Sequence, residues 1–221
     1  MKFALRALSL GSCIGVLLAA APLAHADITS ATVFTGIPNS GNAGDSANMA
    51  GTLPSANFTI GPLGIDFTSG PNPYTVQGFL NNPTFSGQVN GFSPTTTADG
   101  IEVVITGTIF LNAGLNSFTV GHDDGAVLTM PGIGSGTFGN IVNLPGPTSL
   151  VTTPFTVTNP GAAGNFAFTL DYAECCGPPA DLIFAVNSAP VGASTPEPTS
   201  FVLFGSGLLA AAGMVRRRII G

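Results

Sequence analysis

The amino-acid sequence predicts an all-β domain, either an antiparallel β-sandwich or a barrel, over residues 27–193. Short runs in which apolar residues alternate with polar ones recur along this stretch, as expected for strands with one buried face. Clusters of Gly, Pro and Asn separate the runs, and no segment shows sustained helical periodicity. The length of the stretch fits one domain with a single core.

Two runs show the alternation most clearly. In Ile101–Leu111 the apolar side chains share one face, and Glu102 lies on the other face with two threonines. In Asn165–Tyr172 the aromatic side chains and Leu170 are expected to point inward, and Asp171 outward. Further strands are predicted at Thr29–Phe34, Asn57–Ile60, Thr75–Leu80, Asn116–Val120, Ala126–Thr129, Phe155–Thr158 and Asp181–Val186.

The first 26 residues have the three parts of a secretory signal peptide. Lys2 and Arg6 form a positive start, and the apolar run Ala7–Ala21 follows. The tripeptide Ala24–Ala26 then offers a cleavage site with small residues at both ends. We therefore expect residues 1–26 to be removed on export and to take no part in the folded domain.

Residues 194–221 form a second terminal segment with a different order of parts. The tripeptide Pro196, Glu197 and Pro198 cannot continue a helix, so it is expected to be an accessible, extended segment. The uncharged run 201–215 can satisfy its backbone in lipid only as a helix, although it is shorter than the roughly 20 residues that a full span prefers. The basic residues that follow this predicted transmembrane helix should stay on the cytoplasmic side. They are Arg216, Arg217 and Arg218.

The order of these parts resembles the bacterial PEP-CTERM sorting signal, with Thr195 in the place where that family usually has Val. The resemblance implies that a membrane-embedded exosortase processes the chain near the Pro-Glu-Pro tripeptide. It also implies transient anchoring in the inner membrane, followed by delivery to the cell surface or the extracellular polysaccharide. The alternative is an ordinary C-terminal membrane anchor.

The charge distribution of the predicted domain limits its partners. All five basic residues of the chain lie in the two terminal segments, so residues 27–193 contain acidic residues but no Lys or Arg. His122 is the only side chain there that can become a cation. Because phosphate backbones and anionic lipids would be repelled, the sequence argues against a nucleic-acid partner. Divalent cations and neutral polymers suit such a domain better.

The stretch Gly121–Gly125 (GHDDG) has two readings. Asp-Gly between two predicted strands is a strong signal for a hairpin turn. The same stretch is a candidate divalent-cation site, because the adjacent carboxylates of Asp123 and Asp124 are the hard oxygen ligands that Ca²⁺ prefers. Two carboxylates are too few for Ca²⁺, so other loops would have to complete such a site.

A second candidate stretch follows the predicted strand that ends at Tyr172. It holds Glu174, Cys175 and Cys176. The two cysteines are the only ones in the predicted domain. The sequence is compatible with a vicinal disulfide and with a pair of free thiols at these two positions. Their adjacent spacing argues against a zinc site. Thiol nucleophile chemistry would need His122 as its base. We take His122, Glu174, Cys175 and Cys176 as candidate ligand-binding residues.

Together the two stretches resemble the β-sandwich domain first named from anthrax protective antigen. The resemblance is carried by Gly114–Val120, Asp123–Leu128 and Asn165–Glu174, which follow that family's order of an x-Phe-x-Val strand, Asp-Asp-Gly and a strand that ends in Tyr-x-Glu. The domain occurs in flocculins, adhesins and some glycosidases. In its lectin members the two aspartates, joined by a cis peptide bond, bind a Ca²⁺ that contacts sugar hydroxyls. The resemblance thus implies that Asp123 and Asp124 are Ca²⁺ ligands.

We expect no catalytic role. No acidic residues lie in a context that marks a general acid and base, and no nucleophile-elbow motif is present. The sequence therefore predicts a secreted, surface- or exopolysaccharide-associated protein with Ca²⁺-assisted adhesion to carbohydrate. The alternatives are a passive structural component of the matrix or biofilm and an extracellular hydrolase.

Overall fold

A computed structural model describes residues 26–37, 55–61, 63–69, 74–131 and 140–193, together with 205 and 207. All of its strands belong to one compact unit that runs from Ala24 to Ser194. The predicted signal peptide lies outside the described residues except for Ala26, and the predicted transmembrane helix lies outside them except for Gly205 and Gly207. Among the described residues, no helix has the length and apolar character needed to cross a membrane. The roles of the two ends remain predictions.

The described residues between 26 and 193 form twelve strands and one helical turn. They are β1 (Ala26–Thr35), β2 (Ala56–Phe58), β3 (Asp66–Ser69), α1 (Val76–Phe79), β4 (Phe85–Ser86), β5 (Ile101–Leu111), β6 (Gly114–Asp123), β7 (Gly125–Thr129), β8 (Asn140–Leu144), β9 (Val151–Asn159), β10 (Gly164–Glu174), β11 (Ala180–Val186) and β12 (Ala189–Pro190).

The strands form two antiparallel sheets. One has seven strands in the order β4-β2-β1-β5-β10-β7-β8, and the other has five, in the order β12-β11-β6-β9 with β3 paired to β11. Side chains from both sheets share one apolar core. The rings of Phe168 on β10 and Phe184 on β11, for example, pack edge to face with centroids 5.4 Å apart. The all-β prediction is confirmed, and the two facing sheets are consistent with a sandwich.

The alternation predicted for Ile101–Leu111 is confirmed, because every odd-numbered residue of β5 is buried. Gly107 interrupts this inward row of branched side chains. A Cβ atom there would lie 2.5 Å from the carbonyl oxygen of Asp27 on β1, so the close approach of the two strands requires glycine. Glu102 departs from the prediction, because it is fully buried although it lies on the opposite face of the strand from the apolar row.

The predicted strand Thr75–Leu80 is wrong. Val76–Phe79 is a single helical turn, and the hydroxyl of Thr75 accepts a hydrogen bond from the Gly78 N–H at 3.1 Å as its N-cap. Val76 and Phe79, three residues apart, both reach the core from this turn. The strands that the sequence did not predict are β3, β4, β8 and β12, all of two to five residues.

The predicted hairpin at Gly121–Gly125 is also wrong. β6 belongs to the five-stranded sheet and β7 to the seven-stranded sheet, so the chain crosses between sheets at Asp124. A second crossing, residues 175–179, joins β10 to β11. The two crossings run side by side, because Gly125 pairs with Ala173 in one sheet and Asp123 pairs with Asp181 in the other. Both stretches chosen from the sequence therefore meet at the same end of the domain.

Candidate functional site

The carboxylates of Asp123 and Asp124 are oriented by main-chain N–H groups from two other segments. Asp124 accepts a hydrogen bond from the Thr148 N–H at Oδ1 (3.1 Å) and from the Cys175 N–H at Oδ2 (2.7 Å). Asp123 accepts one from the Leu150 N–H at Oδ2 (3.1 Å). The peptide bond between the two aspartates is cis, the geometry that the family resemblance implied.

Burial is the largest contribution to the electrostatics of this pair. Asp124 is only 5% exposed, and burial raises its pKa although the N–H groups of Cys175 and Thr148 oppose this. Burial also raises the pKa of Asp123, and the neighbouring charge of Asp124 adds to it. Asp181 lies opposite Asp123 on β11, and its pKa is raised by burial too. Residues 27–193 contain no Lys or Arg that could offset these charges.

Glu174 lies at the centre of a buried hydrogen-bonded chain. Its two carboxyl oxygens are each 2.5 Å from a tyrosine hydroxyl, Tyr74 at Oε1 and Tyr172 at Oε2. The hydroxyl of Tyr172 also contacts the carbonyl oxygen of Asp123. Burial raises the pKa of Glu174 to about 8, although both tyrosine hydrogen bonds lower it.

The hydroxyl of Tyr172 is shared between Glu174 and the backbone of Asp123. Tyr172 has one hydrogen but contacts two acceptor groups, so it cannot donate to both. The hydroxyl of Tyr172 is placed to donate to Glu174 Oε2 or to the Asp123 carbonyl, and the raised pKa of Glu174 favours its protonated form. Glu174 is 1% exposed, so it supports the aspartate pair from inside the domain and does not meet a ligand at the surface.

Cys175 and Cys176 form a vicinal disulfide, one of the two states that the sequence left open. Cys175 is buried and Cys176 is exposed. Their sulfur atoms and a carboxylate oxygen of Asp124 lie within 4.8 Å of one another. Metal binding and nucleophilic attack both need a thiolate, so the bonded pair supplies neither. What it places beside Asp124 is an uncharged disulfide, of which Cys176 is the exposed residue.

His122 lies behind the aspartate pair. Its ring is fully buried on β6, and Nδ1 is 2.6 Å from the carbonyl oxygen of Asp124. A ligand at the surface would not touch this ring. His122 also has no free thiol to activate, because both cysteines of the domain are bonded to each other.

Several residues of the site were not predicted as such. The main-chain donors Thr148 and Leu150 lie between β8 and β9, and no side-chain pattern marks a backbone N–H group as a donor. From the sequence, Asp181 was identified only as one of the acidic residues, and Tyr74 only as one of the tyrosines. Their proximity to the pair depends on how distant segments pack.

The candidate sorting residues lie outside the described part of the chain. They are Pro196, Glu197, Pro198, Arg216, Arg217 and Arg218. Residues 194–218 match the family described as the PEP-CTERM protein-sorting motif, so the chain carries this motif and the predicted resemblance of its tail is confirmed. No curated protein matches the chain.

Two solved structures share the fold of the domain. The PA14 domain of the MpAFP antifreeze protein superimposes with a TM-score of 0.54 at 18% identity, covering 76% of this chain and 84% of that one. A structure described as the PA14 sugar-binding domain from an RTX adhesin gives a TM-score of 0.50 at 22% identity, covering 73% and 90%. PA14 is the domain named from protective antigen, so the resemblance is confirmed for the fold. The chain therefore combines a PA14-like β-sandwich with a PEP-CTERM sorting motif.

Proposed function

We propose that this protein is a non-enzymatic, surface- or exopolysaccharide-associated adhesin that binds carbohydrate with the help of a Ca²⁺ ion at Asp123 and Asp124. The observation that carries the proposal is the pair of carboxylates at a crossing between sheets, oriented by three main-chain N–H groups, in a domain without Lys or Arg. A PA14-like fold that includes a sugar-binding adhesin domain supports it. The sorting motif supports delivery to the outside of the cell.

The ligand chemistry of the pair suits Ca²⁺. An ionised carboxylate can accept about four hydrogen bonds or metal contacts, and the three main-chain bonds leave acceptor positions on both aspartates. Ca²⁺ takes six to eight oxygen ligands, so Asp181, main-chain carbonyls, water and sugar hydroxyls would complete the shell. Binding would relieve the desolvation and repulsion that raise the pKa values of these carboxyls.

The surroundings of the pair suit the apolar face of a sugar ring. The side chain of Leu150, whose N–H binds Asp123, is 53% exposed. On the other crossing Cys176, Pro178 and Pro179 are exposed. The chain has no Trp, so these aliphatic and sulfur groups would take the place of an aromatic ring against the sugar C–H groups.

The proposed route to the surface uses the tail. Exosortase-type processing near Pro196–Pro198 would release the protein from a transient inner-membrane anchor at 201–215. The released domain would then reach the cell surface or the extracellular polysaccharide. Retention of an uncleaved tail on the mature protein would instead mean an ordinary membrane anchor.

The test is a calorimetric titration of the full chain in detergent with Ca²⁺, next to Asp123→Asn/Asp124→Asn. Asp27→Asn, at an exposed acid on β1, is a control for the loss of one carboxylate elsewhere in the domain. Saturable heat in the wild type and control but not in the double variant supports the ion site. A glycan array with Ca²⁺ or with EGTA then tests adhesion. No heat in the wild type, or glycan signals that EGTA does not change, would overturn the proposal.

A passive matrix component is the second candidate. It is favoured by the three main-chain hydrogen bonds, which give each carboxylate a hydrogen-bond partner without an ion. A wild type that binds neither Ca²⁺ nor glycans but is retained in the matrix would support it. A hydrolase is less well supported, because Glu174, whose raised pKa suits a general acid, is buried away from any substrate.

A further inference from the structure

We infer that His122 is a positioning residue for the candidate ion site, and that it acts through the carbonyl of Asp124 as the tautomer with its hydrogen on Nδ1. The part of this inference that concerns Ca²⁺ binding rests on the proposed function. Its structural part concerns a hydrogen bond and can be tested without an ion.

The tautomer follows from the two ring nitrogens. A carbonyl oxygen only accepts, so Nδ1, 2.6 Å from the Asp124 oxygen, must carry a hydrogen. Within the described part of the chain, Nε2 has no hydrogen-bond partner, and the ring is 0% exposed. A hydrogen on Nε2 would therefore be buried without an acceptor, which is costly. Both nitrogens favour the same tautomer.

The effect of His122 on the candidate ion site follows from the hydrogen-bond donors that bind the main-chain carbonyls of Asp123 and Asp124. His122 binds the carbonyl of Asp124, and Tyr172 binds the carbonyl of Asp123. Both donors are buried side chains, so the backbone of the pair is attached to the inside of the domain. With the backbone fixed in this way, the Asp124 carboxylate can meet the N–H groups of Thr148 and Cys175 together.

The ring itself is held by its strand. His122 is on β6 in register with Leu182 on β11 and Val151 on β9, and Leu182 is fully buried. The imidazole cannot leave the interior without disturbing this packing. His122 therefore belongs to the support of the site and not to the ion's ligands, in the way that outer-shell partners orient the ligands of metal sites.

The first experiment reads the tautomer directly. Long-range ¹H–¹⁵N NMR of the full chain in detergent, labelled at histidine, should show the His122 hydrogen on Nδ1 and protected from exchange with water. The chain's other histidine is His25, and a His25→Asn sample assigns the signals. A hydrogen on Nε2, or an imidazole that exchanges freely, would overturn the inference.

The second experiment compares His122→Leu with His122→Asn, in which the side-chain amide can place a donor near the position of Nδ1. We expect the amide hydrogens of Thr148 and Cys175 to lose about tenfold or more of their exchange protection in the Leu variant and to keep most of it in the Asn variant. Equal protection in a folded Leu variant would contradict the inference. If the Leu variant does not fold, loss of protection in a folded Asn variant would contradict it.

Ca²⁺ binding separates the two proposals. If the wild type binds Ca²⁺, we expect affinity to fall about 10- to 100-fold in His122→Leu and to recover in His122→Asn. Unchanged affinity in a folded Leu variant would refute the positioning role. If the wild type binds no Ca²⁺, the proposed function fails, while the tautomer and the amide exchange still decide whether His122 positions Asp124.

Discussion

Asp124 and Asp171 are two acids of one cation-free domain in contrasting surroundings. Asp171 is half-buried on β10, opposite Val104 and Val127 on the neighbouring strands, and burial raises its pKa to about 6. Asp124 is more buried, but two main-chain N–H groups oppose the rise of its pKa. Burial by itself therefore perturbs an acid without making a site. Three main-chain donors from two other segments, arranged around a pair of acids, make the difference at the crossing.

The largest expected effect is the pH dependence of stability that Glu174 adds at the crossing. Its folded pKa of about 8 exceeds the usual 4.5, so its stabilisation is complete below pH 4.5 and is lost as pH rises to 8. The limit is about 1.4 kcal/mol per pH unit for one proton. Urea unfolding between pH 4 and 9 should show this fall in the wild type and a flatter profile in Glu174→Gln. An equally steep profile in both would show that Glu174 does not hold the proton.

The next effect concerns the ion. Ca²⁺ at 100 times its dissociation constant should add about 2.7 kcal/mol to the unfolding free energy of the wild type. Asp123→Asn/Asp124→Asn should lose this gain, and Asp171→Asn should keep it, because Asp171 lies outside the crossing. Thermal unfolding with Ca²⁺ and with EGTA measures both. If Asp171→Asn lost the gain as well, the contrast between the two acids would fail.

Tyr172→Phe should destabilise the domain by about 1–3 kcal/mol, because it leaves the buried carbonyl of Asp123 and one oxygen of Glu174 without the hydroxyl. Tyr74→Phe removes only a contact to Glu174 and should cost less. Denaturant unfolding at pH 6 ranks the two variants. The reverse order would mean that the single contact of Tyr74 to Glu174 stabilises the domain more than both contacts of the Tyr172 hydroxyl.

The smallest effect is expected at Asp171. Its raised pKa means that the acid's contribution is complete below its unfolded pKa and is lost as pH rises through about 6. Asp171→Asn should therefore be slightly more stable than the wild type at pH 8 and similar at pH 4. Thermal unfolding at the two pH values tests this. A variant that is less stable at pH 8 would mean that the carboxylate has a favourable partner.

Much of the fold follows from local pattern. β5 and β10 were predicted from alternation, because a strand with one buried face shows a period of two in any tertiary setting. The strand predicted at Thr75–Leu80 was wrong because its apolar residues also fit one helical turn. The Thr75 N-cap and the burial of Val76 and Phe79 in the core favour the helical turn over the strand. The strand β8 was missed, and the donors Thr148 and Leu150 that follow it were missed with it.

The sequence by itself determined which segments are strands with one buried face, that the domain has no Lys or Arg, and that Asp123 and Asp124 are adjacent. Only the tertiary structure decided that the chain changes sheets at Asp124 and that Glu174 and His122 support the pair from the interior. The physical reason is the separation along the sequence of the residues that interact. Periodicity and charge are properties of neighbouring residues, whereas sheet membership and a carboxylate's N–H partners depend on segments more than twenty residues away.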